Sequence, residues 1–228
     1  MIPPSTSLPV ALLLTASNGY LVAYTYLAHD GVFATSQTGN IVLAFVGLTA
    51  GRSVPVLPHV WPILTFASGV ALAAVLRPIP GPRVVIASLL GQAAILTAIG
   101  LLPATVPAAA ITSAIGFVAG LQLGLFRLVA SRAFITVAST GNLLRLVEAV
   151  ANAARARTYR ELVTVGFYAT IIAGFAVGVG AGAVLTDLIG SRSCLGTAAA
   201  ITVAAALVRR EFRRGRPDYL NPAHQKGR

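Results

Sequence analysis

The sequence predicts an all-α polytopic membrane protein, and three observations support this class. Of the 228 residues, 56% are hydrophobic and 10% are charged, and the mean hydropathy is +0.82. A soluble domain carries about 25% charged residues, so this chain has too few to cover a water-facing surface. Its apolar residues form long continuous runs, whereas a membrane β-barrel needs alternating segments of about ten residues. The net charge of +11 lies mainly between these runs and in the C-terminal tail, as expected of juxtamembrane anchors.

Six uncharged runs approach the roughly 20 residues that a membrane-spanning helix needs. The first run lacks the basic leader of a cleavable signal peptide and is expected to remain as a helix. Between the second and third runs, three prolines in 77–83 predict a rigid reversal, because proline cannot continue a helix. The runs comprise residues 8–28, 60–76, 84–102, 104–126, 162–185 and 193–208.

Two further segments, residues 33–50 and 133–156, are more polar, and whether they cross the bilayer decides the architecture. If neither crosses, nearly all Lys and Arg residues lie on the cytoplasmic side, and only Arg52 and Arg192 lie outside. If both cross, Arg145 enters the membrane and the charge bias is lost. The distribution therefore predicts six spans. A seven-span arrangement, in which only the first segment also crosses, gives the same bias and stays open.

The tripeptide Thr-Gly-Asn occurs once in each of these segments, at Thr38-Gly39-Asn40 and at Thr140-Gly141-Asn142. Each copy follows an apolar run and a short connection, and precedes a short helix and two more runs. Three spans per unit give the two units opposite orientations, as in inverted-repeat transporters. We expect one transmembrane domain over residues 1–208, with repeats at about 8–102 and 104–208. A basic cytoplasmic tail follows over residues 209–228.

Each triplet is expected to start a short half-helix near the membrane midplane. Thr and Asn favour helix N-caps, and Gly allows unusual backbone angles. The free N–H groups of a helix start attract anions and polar groups. The alternative is that each triplet only caps a helix at the membrane surface. The substrate-path candidates in the triplets are Thr38, Gly39, Asn40, Thr140, Gly141 and Asn142.

Four other polar residues carry functional hypotheses. Asn18 and Gln122 lie inside the first and fourth runs, where polar side chains usually face the bundle interior, so they are further substrate-path candidates. Hydrogen bonding between helices is the alternative. Arg145 and Glu148 share one face of the second short helix and form a candidate gating pair. The alternative is a helix that lies in the cytoplasmic interface.

Two stripes of glycine at four-residue spacing predict packing faces on the fourth and fifth spans. Small residues on one side of a helix let two helix backbones approach closely in lipid. A sliding interface for alternating access would use the same residues. The stripes are Gly116, Gly120 and Gly124 in one run, and Gly174, Gly178 and Gly182 in the next.

The segments Gly19-Tyr20 and Gly31-Val32-Phe33, together with the first triplet, resemble the opening of the bacterial YoaK-like family. The segment Gly120-Leu121-Gln122 and the second triplet resemble its second half. This resemblance covers most of residues 15–205 and implies a six-to-seven-helix inner-membrane protein of unassigned function, often suspected of transport. The chain departs from the family at Val22, where members carry an acid, and at Leu123, where members carry Asn. Any coupling that the acid provides in relatives is therefore in doubt here.

The sequence thus predicts a transporter or channel for a small polar or amphipathic solute in the bacterial inner membrane, with a cytoplasmic C-terminus. The alternative is a non-transporting membrane scaffold or accessory subunit. An enzyme is not expected, because no nucleophile elbow, phosphate loop, metal-ligand spacing or carboxylate pair occurs. No cofactor or metal is expected either. The expected partners are the lipid bilayer and an unidentified small solute, without nucleic acid, and homo-oligomerisation stays open.

Overall fold

The computed structural model describes residues 5–49, 55–103, 105–129, 132–137 and 139–214. They form a helical bundle with one small sheet, in which β1 pairs with β2 in parallel and β2 pairs with β3 antiparallel. In chain order the elements are β1 (Ser5–Thr6), α1 (Leu8–Ala28), α2 (Gln37–Thr49), α3 (Leu57–Leu76), α4 (Pro82–Leu101), α5 (Ala108–Leu125), β2 (Leu128–Val129), β3 (Arg132–Ala133), α6 (Ser139–Ala156), α7 (Tyr159–Ile189), a 3₁₀ turn (Gly190–Ser193) and α8 (Cys194–Arg213).

Among the described residues, five helical segments are long and apolar enough to cross a membrane, by length and composition. The fifth, Tyr159–Arg213, has 55 residues and comprises α7, the 3₁₀ turn and α8. Gly190 divides it, with a φ of +60° that L side chains rarely adopt. The predicted all-helical fold is confirmed apart from the two-residue strands, and these apolar helices indicate a multi-pass membrane protein.

Prolines explain where several helices begin. Helix α1 matches the predicted run, whereas α3 starts at Leu57, ahead of the predicted 60. Pro58 is tolerated there because the N–H groups of a first helical turn have no intrahelical partner. Pro82 opens α4 for the same reason. Helix α5 starts at Ala108, directly after Pro107, which is later than predicted.

Helices α1 and α7 run in the same direction along their shared interface. Gly178 lies against Ala16 and Gly182 lies against Tyr20, so the residue numbers of contacting positions increase together along both helices. Helices α3 and α5 also run in the same direction, with Gly116 against Pro62 and Gly120 against Phe66. The bundle therefore contains two parallel helix pairs, and each pair takes one helix from each half of the chain.

Helix α4 runs antiparallel to α8, and the ends of the bundle differ in character. Gly100 near the end of α4 lies against Leu195 at the start of α8, while Arg83 and Arg213 line one cavity at the opposite ends of the same helices. We name that side the basic end. The other side holds the end of α1, the end of α4, the start of α5 and the 3₁₀ turn, which share a cavity lined by His29. We name it the His29 end.

Helices α1 and α5 lie at the centre of the bundle. In their most apolar 18-residue windows, 67% and 61% of the residues are buried, against 22% for α3. Helix α1 contacts α5, α7 and α8, while α5 contacts α3 and α4. Polar side chains on α1 and α5 are therefore shielded from lipid and are placed to meet one another.

Candidate functional site

The asparagine of each triplet binds the loop that precedes its own helix. The Asn40 Oδ1 atom accepts a hydrogen bond from the Phe33 N–H at 3.2 Å, and its Nδ2 atom donates to the Phe33 carbonyl at 2.9 Å. Asn142 makes the same two bonds with Ile135, at 3.1 Å and 2.7 Å. In both cases the partner lies seven residues upstream. We name these arrangements, residues 33–40 and 135–142, the two loop clasps.

The glycine of each triplet provides space for the side chain at the start of its clasp. A Cβ atom on Gly39 would lie 2.7 Å from Cδ2 of the Phe33 ring. A Cβ atom on Gly141 would lie 2.6 Å from Cδ1 of Ile135. Real Cβ atoms essentially never approach so closely. The Gly-Asn pair is thus explained locally, because Gly admits the side chain of the residue whose backbone Asn holds.

The triplets lie inside the first helical turns, since α2 begins at Gln37 and α6 at Ser139. Their asparagines are buried, whereas Thr38 and Thr140 are exposed. Asn40 also approaches the Gln37 Oε1 atom at 3.1 Å and the His59 Nδ1 atom at 3.4 Å. The triplet amides are consequently engaged within the protein.

A second group of amides joins three helices in the interior. The Asn18 Nδ2 atom donates hydrogen bonds to the Gln122 Oε1 atom and to the Leu14 carbonyl, the latter at 2.9 Å. The Gln122 Nε2 atom in turn donates to the Gln92 Oε1 atom at 3.1 Å. Each of the three side chains is 1% exposed. We name Asn18, Gln92 and Gln122 the amide cluster.

Several buried polar atoms on α1, α4 and α8 make no hydrogen bond within the described part of the chain. Leaving such an atom unsatisfied costs about 1–3 kcal/mol, and an ordered water or a functional role usually accounts for it. No Asp, Glu, Lys or Arg is buried among the described residues, so this interior is polar and uncharged. The atoms are Gln92 Nε2 and the hydroxyl oxygens of Thr15, Ser17, Tyr24 and Thr197.

Reciprocal glycine contacts hold α1 against α7. A Cβ atom on Gly19 would collide with the Phe175 carbonyl oxygen, and one on Gly178 would collide with the Ala16 carbonyl oxygen. Each helix therefore presents a glycine to the backbone of the other. This gives the close approach of two backbones that small residues allow in lipid.

The same reciprocal contact occurs between α3 and α5. A Cβ atom on Gly120 would collide with the Phe66 carbonyl oxygen, and one on Gly69 with the Phe117 carbonyl oxygen. We name these two interfaces the glycine crossings. A phenylalanine carbonyl faces the glycine of the central helix in both, Phe175 for Gly19 and Phe66 for Gly120.

The other glycines of the two stripes also lie in these interfaces. A Cβ atom on Gly116 would lie 2.8 Å from the Pro62 carbonyl oxygen, and one on Gly182 would lie 2.5 Å from that of Tyr20. Gly174 is less crowded, because a Cβ atom there would lie 3.2 Å from the Leu12 side chain. Gly124 packs on the Cβ atom of the α3 residue Ala73.

The gating pair expected from Arg145 and Glu148 is not formed. An Nη1 atom of Arg145 donates to the Gly141 carbonyl at 3.2 Å, back along its own helix. Glu148 is exposed, and no salt bridge joins these two residues. Large apolar residues such as Leu144 and Val147 are exposed on the same helix. The arrangement matches an amphipathic helix at a membrane surface better than a buried charge pair.

His29 lies where α1 ends, at the edge of a cavity of about 320 Å³. The ring is 8% exposed and its Nε2 atom has no partner among the described residues. Tyr24 packs edge-on against it, with ring centroids 5.0 Å apart. Burial lowers the pKa of His29, and the neighbouring Asp30 opposes this shift. No group of three or more metal-ligating residues occurs among the described residues.

The structure joins some predicted residues and separates others. It brings Asn18 to Gln122, but it directs Asn40 and Asn142 into their own loops. Sequence reasoning missed Gln92, although it is the one amide side chain in the 84–102 run. It also missed Gly69, which belongs to no four-residue stripe. The basic tail expected over 209–228 lies largely outside the described residues.

Apolar helices, parallel glycine-packed pairs and an uncharged polar interior define a polytopic α-helical membrane protein. The model of a family described as a protein of unknown function (DUF1275) matches residues 10–208. The chain belongs to this DUF1275 family, whereas the YoaK-like relationship stays a prediction. The chain matches no curated protein and no solved structure.

Proposed function

We propose that this protein lets a small, uncharged polar or amphipathic solute cross the bacterial inner membrane along the amide cluster. The observation that carries the proposal is the amide cluster itself. Asn18, Gln92 and Gln122 are buried together in an apolar bundle, and the Gln92 Nε2 atom has no described partner. Polar groups inside the membrane are costly, face the bundle interior and can mark a substrate path.

The mode of packing supports a mechanism in which two units move apart. Asn18 lies on α1, which packs on α7, and Gln122 lies on α5, which packs on α3, so their hydrogen bond links two separately packed helix pairs. A solute with amide, hydroxyl or urea-like groups could replace the bonds that these side chains make to each other. The cluster is closed in this conformation, and passage requires the pairs to separate.

The proposed architecture has six spans in two inverted units. Helix α1 ends at the His29 end, and α3 also starts there because it runs parallel to α5. The chain therefore reaches α2 from the His29 end and continues to α3 at the same end. This supports a non-spanning role for the 13 residues of α2. By the same reasoning, α6 lies at the basic end. Unit one then starts at the basic end and unit two at the His29 end, which is the inversion.

The basic end is proposed to face the cytoplasm. Arg77, Arg83 and the arginines of α8 lie there, as the positive-inside rule requires of cytoplasmic connections. Cysteine labelling at positions 36 and 138 in a Cys194→Ser background tests the orientation. Labelling of the two positions from opposite faces is expected, and labelling from the same face would contradict the inverted units.

Flux through proteoliposomes tests the function. Purified full-length protein would be reconstituted, and efflux of water, glycerol, urea, short alcohols and short-chain amides measured against empty liposomes. At least one solute should pass faster, and Asn18→Leu and Gln122→Leu should each reduce that flux about tenfold or more. Asn152→Leu, at an exposed position of α6, is the matched control. Equal flux in all variants and empty liposomes would refute the proposal.

The loop clasps favour a second candidate function, that of a membrane scaffold or accessory subunit. Both triplet asparagines have structural bonds that account for their presence. In that case, the double variant Asn40→Leu/Asn142→Leu lowers the thermal midpoint without changing permeability to any solute. A change in permeability at unchanged stability would favour transport.

A further inference from the structure

A groove between α4 and α8 combines an apolar wall with a rim of arginines. Its first cavity, of about 530 Å³, lies between the first half of α4 and the second half of α8. Ile86, Leu90 and Ala206 form apolar wall, and Leu90 is 48% exposed. Arg209 and Arg213 are among the arginines at its rim. The groove therefore opens sideways along the bundle and ends in positive charge.

A second cavity continues the groove around the start of α4. It measures about 520 Å³ and shares Ile86, Arg209 and Arg213 with the first cavity. Arg83 and the backbone of Gly81 form its other side. The start of α4 contributes its free N–H groups and the positive pole of the helix dipole. Arg209 and Arg213 thus line both cavities of the groove.

The charge of this region is concentrated and uncompensated within the described residues. Five exposed arginines line the two cavities, and none of them forms a salt bridge with a described acidic residue. Glu211 is the only acidic residue in α8. An anion at the rim would therefore relieve repulsion among the arginines. The five are Arg83, Arg209, Arg210, Arg213 and Arg214.

We propose that this groove is a binding site for an anionic phospholipid of the leaflet at the basic end. Guanidinium groups bind phosphate oxygens in bidentate geometry, so the arginines would hold the headgroup phosphate. The apolar wall between α4 and α8 would hold part of an acyl chain. A soluble anion would use the arginines alone, whereas a lipid matches both the charged rim and the apolar wall. The site is separate from the amide cluster and does not depend on solute passage.

Lipid binding by the full-length protein in nanodiscs of phosphatidylcholine tests the site. The probe is fluorescent phosphatidylglycerol, titrated against wild type and the double variant Arg209→Gln/Arg213→Gln. We expect the double variant to bind about tenfold more weakly or worse. The control Arg155→Gln/Arg157→Gln removes the same charge from exposed positions at the end of α6 and should bind like wild type. Equal weakening in both double variants would reduce the effect to overall charge and overturn the site.

The apolar wall is tested separately, with the charge left intact. Ala206→Trp would fill the groove from an exposed position and should also weaken binding of the probe. Val203→Trp, at a 50% exposed position of α8 outside both cavities, is its control and should have no effect. Undiminished binding in Ala206→Trp would overturn the proposal. Displacement of the lipid by equimolar inorganic phosphate or glycerol phosphate would do the same, because a headgroup alone would then suffice.

Discussion

The side-chain amide of Asn18 donates a hydrogen bond to the side chain of Gln122, 104 residues further along the chain. The bond joins the two central helices α1 and α5 at a point that is closed to both lipid and water. The Gln122 side chain in turn donates a hydrogen bond to the side chain of Gln92 in α4. A pair of this kind either stabilises the bundle or opens to admit a solute. The following predictions measure how much these and other contacts stabilise the fold.

Breaking the Asn18–Gln122 hydrogen bond should destabilise the protein, and the losses from substituting its two partners should not be additive. Side-chain hydrogen bonds in membrane bundles contribute on average about 0.6 and at most about 1.7 kcal/mol. Asn18→Leu and Gln122→Leu should each lower the free energy of unfolding by about this amount or more, since each leaves its partner unpaired. The double variant should lose less than the sum of the two. Reversible unfolding in mixed micelles measures the cycle, and strictly additive losses would exclude a direct bond.

Enlarging the crossing glycines should force the helix pairs apart. Gly178→Ala and Gly69→Ala each place a Cβ atom against a backbone carbonyl, which cannot rotate away as a side chain can. Overpacking of this kind costs about 1–3 kcal/mol. Both variants should show lower thermal midpoints in detergent. Gly180→Ala is the control, because its Cβ atom would meet nothing within 4 Å, and it should match or exceed wild type.

The two loop clasps should respond alike to the same change. Asn40→Ala and Asn142→Ala each remove two hydrogen bonds to a backbone seven residues upstream and leave partly buried backbone groups unpaired. Each should cost about 1–3 kcal/mol in unfolding measurements. Asn152→Ala, exposed on α6, should change little. A large loss at only one triplet would mean that the clasps are not equivalent.

The space beside Gly39 can be tested by compensation. Gly39→Ala should destabilise the first clasp, because its Cβ atom would lie 2.7 Å from the Phe33 ring. Phe33→Ala removes that ring and should restore part of the lost thermal stability when combined with Gly39→Ala. Gly39 is helical and has no positive φ, so absence of any rescue would contradict the assignment of Gly39 to making space for the Phe33 ring.

His29 should make stability depend on pH. Burial lowers its pKa in the folded protein below the unfolded value of about 6.5, so the unfolded chain binds the proton more readily. Its contribution to stability is therefore present above pH about 6.5 and declines as the pH falls through that value towards the lowered folded pKa. Thermal midpoints of wild type and His29→Gln between pH 5 and 8 measure this. The difference should shrink at low pH, and a constant difference would contradict it.

The sequence predicted the helices better than their contacts. Runs of apolar residues marked α1 and α4 nearly to their ends, and four-residue glycine spacing marked the faces of α5 and α7 that pack on other helices. The partners of those faces were not predictable. Gly69 stands alone in α3, yet a Cβ atom there would collide with the Phe117 carbonyl oxygen, as one on the stripe residue Gly120 would with that of Phe66.

For the candidate site, the sequence singled out the polar residues but not their bonds. Asn40 and Asn142 looked like ligand groups because a repeated polar triplet is unusual in an apolar chain. The folded chain uses them to hold their own loops, with Phe33 and Ile135 as partners. Gln92 was overlooked because a single amide in an apolar run carries no pattern.

The sequence by itself determined the membrane class, the positions of the apolar helices, the excess of arginine in connections and the repetition of the Thr-Gly-Asn triplet. These depend on composition and local spacing, which the chain carries before it folds. Only the tertiary structure decided that Asn18 meets Gln122, that α1 packs on α7 while α3 packs on α5, and that the α8 arginines face Arg83. The reason is that helical periodicity defines which face of a helix carries polar residues and which carries small residues. The helix opposite that face depends on rotation and register set by packing across more than a hundred residues of sequence.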